Sequence, residues 1–225
     1  MTPDPRKLFV LLRDPDGREI AATQDRVRAA LGARDSVFAR ATRLGFCRIG
    51  AIPEGLPRRP DDEPRPAYDV TIRAEFADSA DAQAAFRTTS KPDWFTGLTA
   101  CAFLVTPIPV LDRLPPDAKP AIKNLALIQF HGDLPDSAAQ RSWAQHAKLA
   151  SIVHTGAGRY VRNWVEARAP DEPPIRGIVE IDFATLPDLT DRYFGVPGGM
   201  ERIIQDTGHF VQKATRLYMQ EEKLR

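Results

Sequence analysis

Cysteine is scarce in this sequence, which holds only two among its 225 residues, Cys47 and Cys101. Two cysteines cannot build a disulfide framework, and this pair lacks the C-x-x-C spacing of metal and redox sites. Free cysteine is among the most buried residue types in proteins. We therefore expect both thiols to serve as buried apolar side chains.

An excess of charge of one sign is also missing, since 31 Lys and Arg residues accompany 30 Asp and Glu residues. This balance argues against a general binder of nucleic acid or of a membrane surface. The apolar runs are too short to span a bilayer, and the first residues lack the features of a secretory signal. The sequence therefore predicts a cytoplasmic globular protein.

Several catalytic signatures are absent from the sequence. It contains no G-x-G-x-x-G, no P-loop and no G-x-S-x-G, which disfavours nucleotide-dependent chemistry and serine hydrolysis. The four histidines have neither H-x-x-x-H nor H-E-x-x-H spacing, so we predict no metal site and no cofactor.

Proline, in contrast, is abundant, with 20 residues that concentrate in three stretches, 53–66, 107–120 and 170–174. Proline lacks a backbone donor and fixes φ, so such stretches separate helices and strands. They divide the chain into two parts of similar length. We predict one domain over residues 1–112, a proline-rich linker over 113–119 and a second domain over 120–225.

The two parts resemble each other. Residues 68–87 and 175–194 each read as a β-branched strand that ends in acid–Phe–Ala, followed by a turn and a helix. Phe76 falls on Phe183 at an offset of 107 positions. A period of this length indicates a tandem domain duplication and not a solenoid repeat.

Each half is predicted to follow the order β-α-β-β-α-β, from apolar periodicity and residue preferences. The predicted elements are strands 7–12 and 46–52 and a helix over 24–40 in the first half, and strands 123–131, 159–166, 175–183 and 209–219 with helices 137–153 and 187–204 in the second. For the helix at 137–153 we predict an N-cap at Asp136 or Ser137 and an end at Gly156.

This element order predicts the α+β class, with two tandem ferredoxin-like halves. The bare face of each sheet must be covered, and the sheet of the other half is the expected cover. We therefore predict a barrel-like sandwich with the halves packed sheet to sheet and the helices outside. A further homodimer is compatible with this arrangement but is not required for folding.

Four motifs in residues 122–219 carry a family resemblance. They are Trp143-Ala-Gln-His146-Ala-Lys-Leu-Ala, the stretch 158–163 (GRYVRN), the stretch 180–183 (EIDF) and the stretch 206–211 (DTGHFV). In this order they resemble the EthD-like domain of the dimeric α/β-barrel superfamily. Residues 24–40 contain neither Trp nor His, so the first half is interpreted as a degenerate copy and the whole chain as an intramolecular dimeric α/β-barrel.

The resemblance implies a cofactor-independent enzyme of lyase, isomerase or cyclase type that acts on an apolar, aromatic or polyketide-like oxygenated metabolite. Such reactions are mostly proton transfers, for which histidine suits neutral pH. Two alternatives stay open, a non-catalytic small-molecule-binding or interaction module and a cofactor-independent monooxygenase. Heme use, known in some dimeric α/β barrels, would need a histidine in an apolar pocket, with His146 or His209 as candidates.

The candidate site lies in the second half. Gln129 and His131 end one face of the first strand, and Trp143 and His146 share one stripe of the following helix. We predict His146 and His131 as catalytic groups and, as substrate-binding residues, Trp143, Tyr160, Asn163, Gln129 and His209.

Structural roles compete with these assignments. His131 suits a solvated strand end, His146 a core position and His154 a helix C-cap with a cationic side chain. Arg162 suits either a substrate carboxylate or an edge strand protected by charge. Glu180, Asp182 and Asp206 are expected in solvated or turn positions.

Overall fold

Eight strands and five helices make up the described part of the protein, which in this computed structural model comprises residues 6–33, 37–56, 65–91, 94–115 and 118–225. The strands are β1 (Arg6–Arg13), β2 (Arg43–Gly50), β3 (Val70–Phe76), β4 (Thr99–Asp112), β5 (Ile122–Phe130), β6 (Ala157–Arg168), β7 (Gly177–Phe183) and β8 (Val211–Lys223). The helices are α1 (Ile20–Ala33), α2 (Ser79–Thr89), α3 (Asp136–Val153), α4 (Leu186–Thr190) and α5 (Gly199–Thr207).

The strands form one closed antiparallel barrel in the order β1-β3-β2-β8-β5-β7-β6-β4. The first half therefore contributes β4-β1-β3-β2, and the second contributes β8-β5-β7-β6 in the matching order. The pairs β2–β8 and β4–β6 join the halves at both edges. The predicted α+β barrel is confirmed, because hydrogen bonding of the edge strands joins the two halves into one closed barrel.

The barrel separates an inner core from two outer layers, because successive side chains of a strand point to opposite faces. On β1, Phe9 and Leu11 point inward and pack with Leu125 and Leu217 of the second half. Leu8, Val10 and Leu12 point outward, into a layer covered by the helices. Cys47 and Cys101 are buried free thiols of the inner core, which confirms their predicted packing role.

Helix α3 begins and ends near its predicted positions, but neither predicted cap is correct. The N-cap is Pro135, which gives no side-chain hydrogen bond, and the helix begins at Asp136. The C-cap is His154, whose backbone N–H donates to the carbonyl of Ala150. Gly156 lies two residues beyond this cap, where a Cβ would approach the backbone oxygen of Asp188 to 2.0 Å.

The last predicted helix, 187–204, is two helices in the structure. Helix α4 is a short segment closed at its start by a capping box between Thr185 and Asp188. The chain then breaks around Pro197, which has no N–H to donate, and Gly198, which has a φ of 65°. The corresponding α2 of the first half is one uninterrupted helix.

The first predicted helix is also shifted, since α1 begins four residues earlier than expected and ends at Ala33. Residues 34–36, inside the predicted span, and residues 116–117 of the predicted linker lie outside the described residues. The division of the chain at 113–119 stays a prediction. Along the described stretches, every helix is too short or too polar to cross a membrane.

Candidate functional site

The outer layer of the second half holds the polar groups that suit chemistry. On β6, Tyr160 and Arg162 point outward, beneath α3, while Asn163 points into the barrel. Tyr160 packs with Ala147 and Ala150 of α3. The strand thus places a phenol and a guanidinium next to the helix that carries His146.

His146 and Asp206 form a pair between α3 and α5. The imidazole Nδ1 lies 2.7 Å from the Oδ2 atom of Asp206, and the ring of Phe210 lies 5.6 Å away. A carboxylate only accepts hydrogen bonds, so Nδ1 carries the proton of the neutral ring and Nε2 is left as a proton acceptor. Asp206, assigned by sequence to a turn, is thereby brought to the predicted catalytic histidine.

Burial lowers the pKa of His146 below its ordinary value, and the charge of Arg162 acts in the same direction, while Asp206 opposes both. The net lowering keeps the imidazole neutral at pH 7. A neutral imidazole held by a carboxylate is the protonation state that a general base requires.

Arg162 is a buried cation, only 9% exposed. Its guanidinium lies 5.4 Å from the ring of Trp143, and its buried Nε atom has no hydrogen-bond partner. Within the described ranges, no carboxylate pairs with it, and burial lowers its pKa. A buried cation that lacks an acidic partner suits an anionic or strongly polarised ligand oxygen.

Trp143 and Tyr160 complete the cluster. Burial raises the pKa of the Tyr160 phenol and outweighs Arg162 and Trp143, which each act to lower it, so the phenol stays protonated. Trp143 also packs against Phe130, at 5.5 Å between ring centroids. We call Trp143, His146, Tyr160, Arg162 and Asp206 the outer cluster.

The comparisons with known proteins bear on the fold. No family model matches the sequence, and no curated protein matches it significantly. Solved structures do match: an anthrone oxidase-like protein superposes with a TM-score of 0.59 at 9% identity, covering 97% of this chain and 91% of that one. A proposed monooxygenase from Fusobacterium nucleatum gives a TM-score of 0.55 at 8% identity, covering 99% and 95%. A proposed chlorite dismutase gives 0.52 at 12% identity, covering 97% and 94%.

The chain has the dimeric α/β-barrel fold. In this barrel Asn163 and Gln129 lie on the inner face of the sheet, whereas His131 lies beside the segment 208–210 that follows Asp206. Asn163 faces the interior and donates to the carbonyl of Ile178 and to Glu180. Gln129 shares the inward face of β5, the Nε2 of His131 lies 3.2 Å from the carbonyl oxygen of Gly208, and His209 is exposed. Of the predicted residues, the structure brings together His146, Trp143 and Tyr160.

The space between α3 and the sheet does not fit a heme. A Cβ placed on Gly177 would meet the Trp143 ring at 2.7 Å, so indole and sheet are already in contact. The ring of Phe130 lies against those of Trp143 and Trp164, with centroid distances of 5.5 and 5.8 Å. The described side chains fill the region where a macrocycle would lie beside His146. Metal-binding groups of three or more His, Cys, Asp or Glu are also absent from the described residues.

The sequence analysis did not predict one group of buried ionisable residues inside the barrel. Glu180 and Asp182, expected in solvated positions, are buried inside the barrel. Lys7 donates to Glu180 at 2.6 Å, Lys123 donates to Asp182 at 2.5 Å, and Arg73 lies 2.9 Å from Glu180. This ion network comprises Lys7, Arg73, Glu75, Lys123, Glu180, Asp182 and Glu221.

Opposite charges in the ion network shift the pKa values of one another. Burial alone would raise the pKa of Glu180, but the attraction of Lys7, Arg73 and Lys123 holds it well below its ordinary value. Lys123 is the converse case, since its acidic neighbours outweigh burial and raise its pKa. The network has three cations and four carboxylates from both halves, so it suits cohesion of the barrel better than ligand binding. The sequence signal was the alternation of charged and apolar residues in Arg73-Ala74-Glu75 and Glu180-Ile181-Asp182.

Proposed function

We propose that this protein is an EthD-like, cofactor-independent enzyme that catalyses proton transfer on an apolar oxygenated metabolite of aromatic or polyketide type. Its reaction belongs to the lyase, isomerase or cyclase type, and its site is the outer cluster of the second half. The observation that carries the proposal is the His146–Asp206 pair at 2.7 Å beside the buried, acid-free Arg162.

The roles of the residues follow from their donors and acceptors. His146 removes a proton from the substrate through Nε2 and returns it later, while Asp206 positions the ring and stabilises the imidazolium. Arg162 binds the substrate oxygen, where negative charge develops as the proton leaves. Trp143 and Phe210 are buried aromatic rings that make the surroundings of His146 apolar.

Comparison with the first half supports the assignment of the site to the second half alone. Leu44 lies opposite Ala74, and Tyr160 lies opposite Ile181, which is 107 positions later than Ala74. By the same register, Phe46 matches Arg162. The phenol and the guanidinium of the second half therefore correspond to apolar side chains in the first. The shared strand order supports the related proposal that the halves are tandem copies of a ferredoxin-like unit, of which the second is active.

A cofactor-independent monooxygenase is the second candidate. The names of two structural neighbours, the anthrone oxidase-like protein and the proposed monooxygenase, favour it. Both candidate reactions begin with removal of a proton from an activated C–H or O–H group, so both use His146 as the base. They differ in the next step, because only the monooxygenase consumes O₂.

The test combines proton exchange with O₂ uptake on the purified protein. Anthrone and related phenolic ketones are incubated in D₂O, and deuterium incorporation at the acidic carbon is followed by NMR while an electrode records O₂. The wild-type protein is expected to accelerate exchange, and His146→Ala is expected to lower the rate about 10²–10⁴-fold, the usual contribution of a positioned acid–base group. O₂ uptake that depends on protein and substrate would select the monooxygenase.

Gln145→Ala is the matched control, because Gln145 is the exposed neighbour of His146 on α3. This variant is expected to retain the wild-type rate. A folded His146→Ala protein with wild-type turnover would refute the catalytic assignment. A panel in which no compound exchanges faster than in buffer would favour the alternative of a binding module.

A further inference from the structure

Helix α5 is attached to the barrel differently from α2, the second helix of the first half. Helix α2 packs directly on β1, β3 and β4, and buries Ala82, Ala85 and Thr89. Helix α5 packs chiefly on α3, and only Gly199 and Ile203 are buried. Its outward residue Ile204 is 50% exposed. The helix that carries Asp206 is therefore the less firmly held of the two.

The segment before α5 is suited to act as a hinge. Gly198 adopts the left-handed region, with a φ of 65°, and a Cβ at this position would meet nothing within 4 Å. The lack of neighbours leaves room for the backbone here to change direction, and glycine adopts either sign of φ at little cost. The chain thus enters α5 through an unconstrained residue.

The contact between Asp206 and His146 is the polar link that ties the side chains of α5 to α3. The other hydrogen-bonding side chain described on α5, Thr207, donates to carbonyls of the same helix, those of Ile203 and Ile204. Hydrogen bonds that involve a charged group are about twice as strong as neutral ones. This contact adds to the attachment of α5, whose C-terminal end is also held at Gly208 and Phe210, which both contact His131.

His146 is only 8% exposed with α5 in this position, which is too little for an aromatic substrate to reach Nε2. We propose that α5 is a movable lid over His146, hinged at Gly198 and latched by the His146–Asp206 contact. This inference rests on the proposed function, because it supplies the route by which a substrate reaches the general base. In the closed position the lid excludes water from the site, and the latch is the same contact that positions the imidazole for catalysis.

Hydrogen–deuterium exchange of the full-length protein, without substrate, tests the lid. Amides of residues 199–207 are expected to exchange at least about tenfold faster than those of α2, because elements with few buried contacts open at lower free energy. Asp206→Ala removes the latch and is expected to raise exchange of α5 about a further tenfold, the factor expected for loss of one charged hydrogen bond. Glu201→Ala removes an exposed acid from the same helix and is expected to leave exchange unchanged.

A second measurement follows the imidazole itself. Diethylpyrocarbonate modifies accessible neutral imidazoles, and peptide mass spectrometry separates His146 from the exposed His209. Asp206→Ala is expected to raise the rate at His146 severalfold and to leave His209 unchanged. Exchange of α5 as slow as that of α2, or no effect of Asp206→Ala on either readout, would overturn the lid. Neither measurement needs turnover. The lid proposal and the acid–base proposal are therefore tested by separate assays, and either can fail while the other holds.

Discussion

The two halves of the barrel share one strand order but differ in their outer layers. The first half buries Leu44 and Phe46 under its helices, where the second half buries Tyr160 and Arg162 at the matching register. Burying a polar group without full compensation destabilises a fold. Tyr160 and Arg162 are therefore the positions at which the outer layer of the second half departs from that of the first.

Inside the barrel the halves differ in another way. Lys7 and Lys123 occupy matching positions and keep the same charge, each opposite an acid on the neighbouring strand. Arg73 and Glu180 also match, at the offset of 107, but carry opposite charges and pair with each other. A symmetric pair of identical halves would bring two like charges together here. The fused chain can place complementary charges at this point, which makes each half specific for the other.

The largest expected effect comes from exchanging the outer layers. Phe46→Arg places a charge at a fully buried apolar position whose cross-strand neighbour Glu222 already pairs with Arg28, and we expect it to lower the free energy of unfolding by about 4 kcal/mol or more. Arg162→Phe makes the reverse change, and we expect it to be neutral or stabilising by about 1 kcal/mol, because the lone buried charge is removed. Urea unfolding of both variants measures the difference.

The same pair of variants separates stability from function. Arg162→Phe should remove the oxygen-binding group, so a stable but inactive protein is the expected outcome in the exchange assay. Equal losses of stability for Phe46→Arg and Arg162→Phe would contradict the distinction between an apolar scaffold half and a polar active half.

The second prediction concerns the ion network between the halves. Glu180→Met removes the carboxylate that contacts Lys7, Arg73 and Lys123, and is expected to cost about 3–5 kcal/mol, as for a buried pair that loses one partner. Arg73→Met removes one partner cation. The double variant is expected to cost less than the sum of the single changes, because neither ion of the pair is then left alone. Additive losses in a thermal or urea unfolding cycle would show that the two charges do not depend on each other.

The order of elements in the second half was predictable, because each strand and helix carries its own periodicity. The motif around Trp143 and His146 fell on α3, and the GRYVRN stretch fell on β6. The sequence was less informative about the segment that contains α4 and α5. One helix was predicted over 187–204, with Val196-Pro-Gly-Gly199 as a break within it, whereas the structure has two separate helices on either side of this stretch.

The site could be predicted only in part, because contacts between distant segments are not written in local patterns. His146 was found from its motif, but its partner Asp206 lies 60 residues later and looked like a turn residue. Asn163 was grouped with Tyr160 on the strength of one motif, although three positions along a strand lead to the opposite face. The ion network was missed for the same reason, since Lys7 and Glu180 are 173 residues apart.

The smallest expected effect concerns the histidines, all four of which lie in the second half of the chain. His154 is buried at the end of α3 and stacks on Tyr193 at 4.5 Å, and burial lowers its pKa to about 4, so it does not act as the cationic cap expected from the sequence. The unfolded chain binds a proton at a pH near 6.5, where the native imidazole stays neutral. The contribution of His154 to the free energy of unfolding is therefore fully present above that pH. It falls, by at most about 1.4 kcal/mol per pH unit, as the pH drops toward the native pKa.

His154→Asn is expected to flatten the wild-type curve of unfolding free energy against pH between about pH 6.5 and 5, where most carboxylates remain ionised. His209→Asn, at an exposed position, should leave this curve unchanged. Urea midpoints measured across this window decide the point, and a wild-type slope that survives in His154→Asn would assign the acid sensitivity elsewhere.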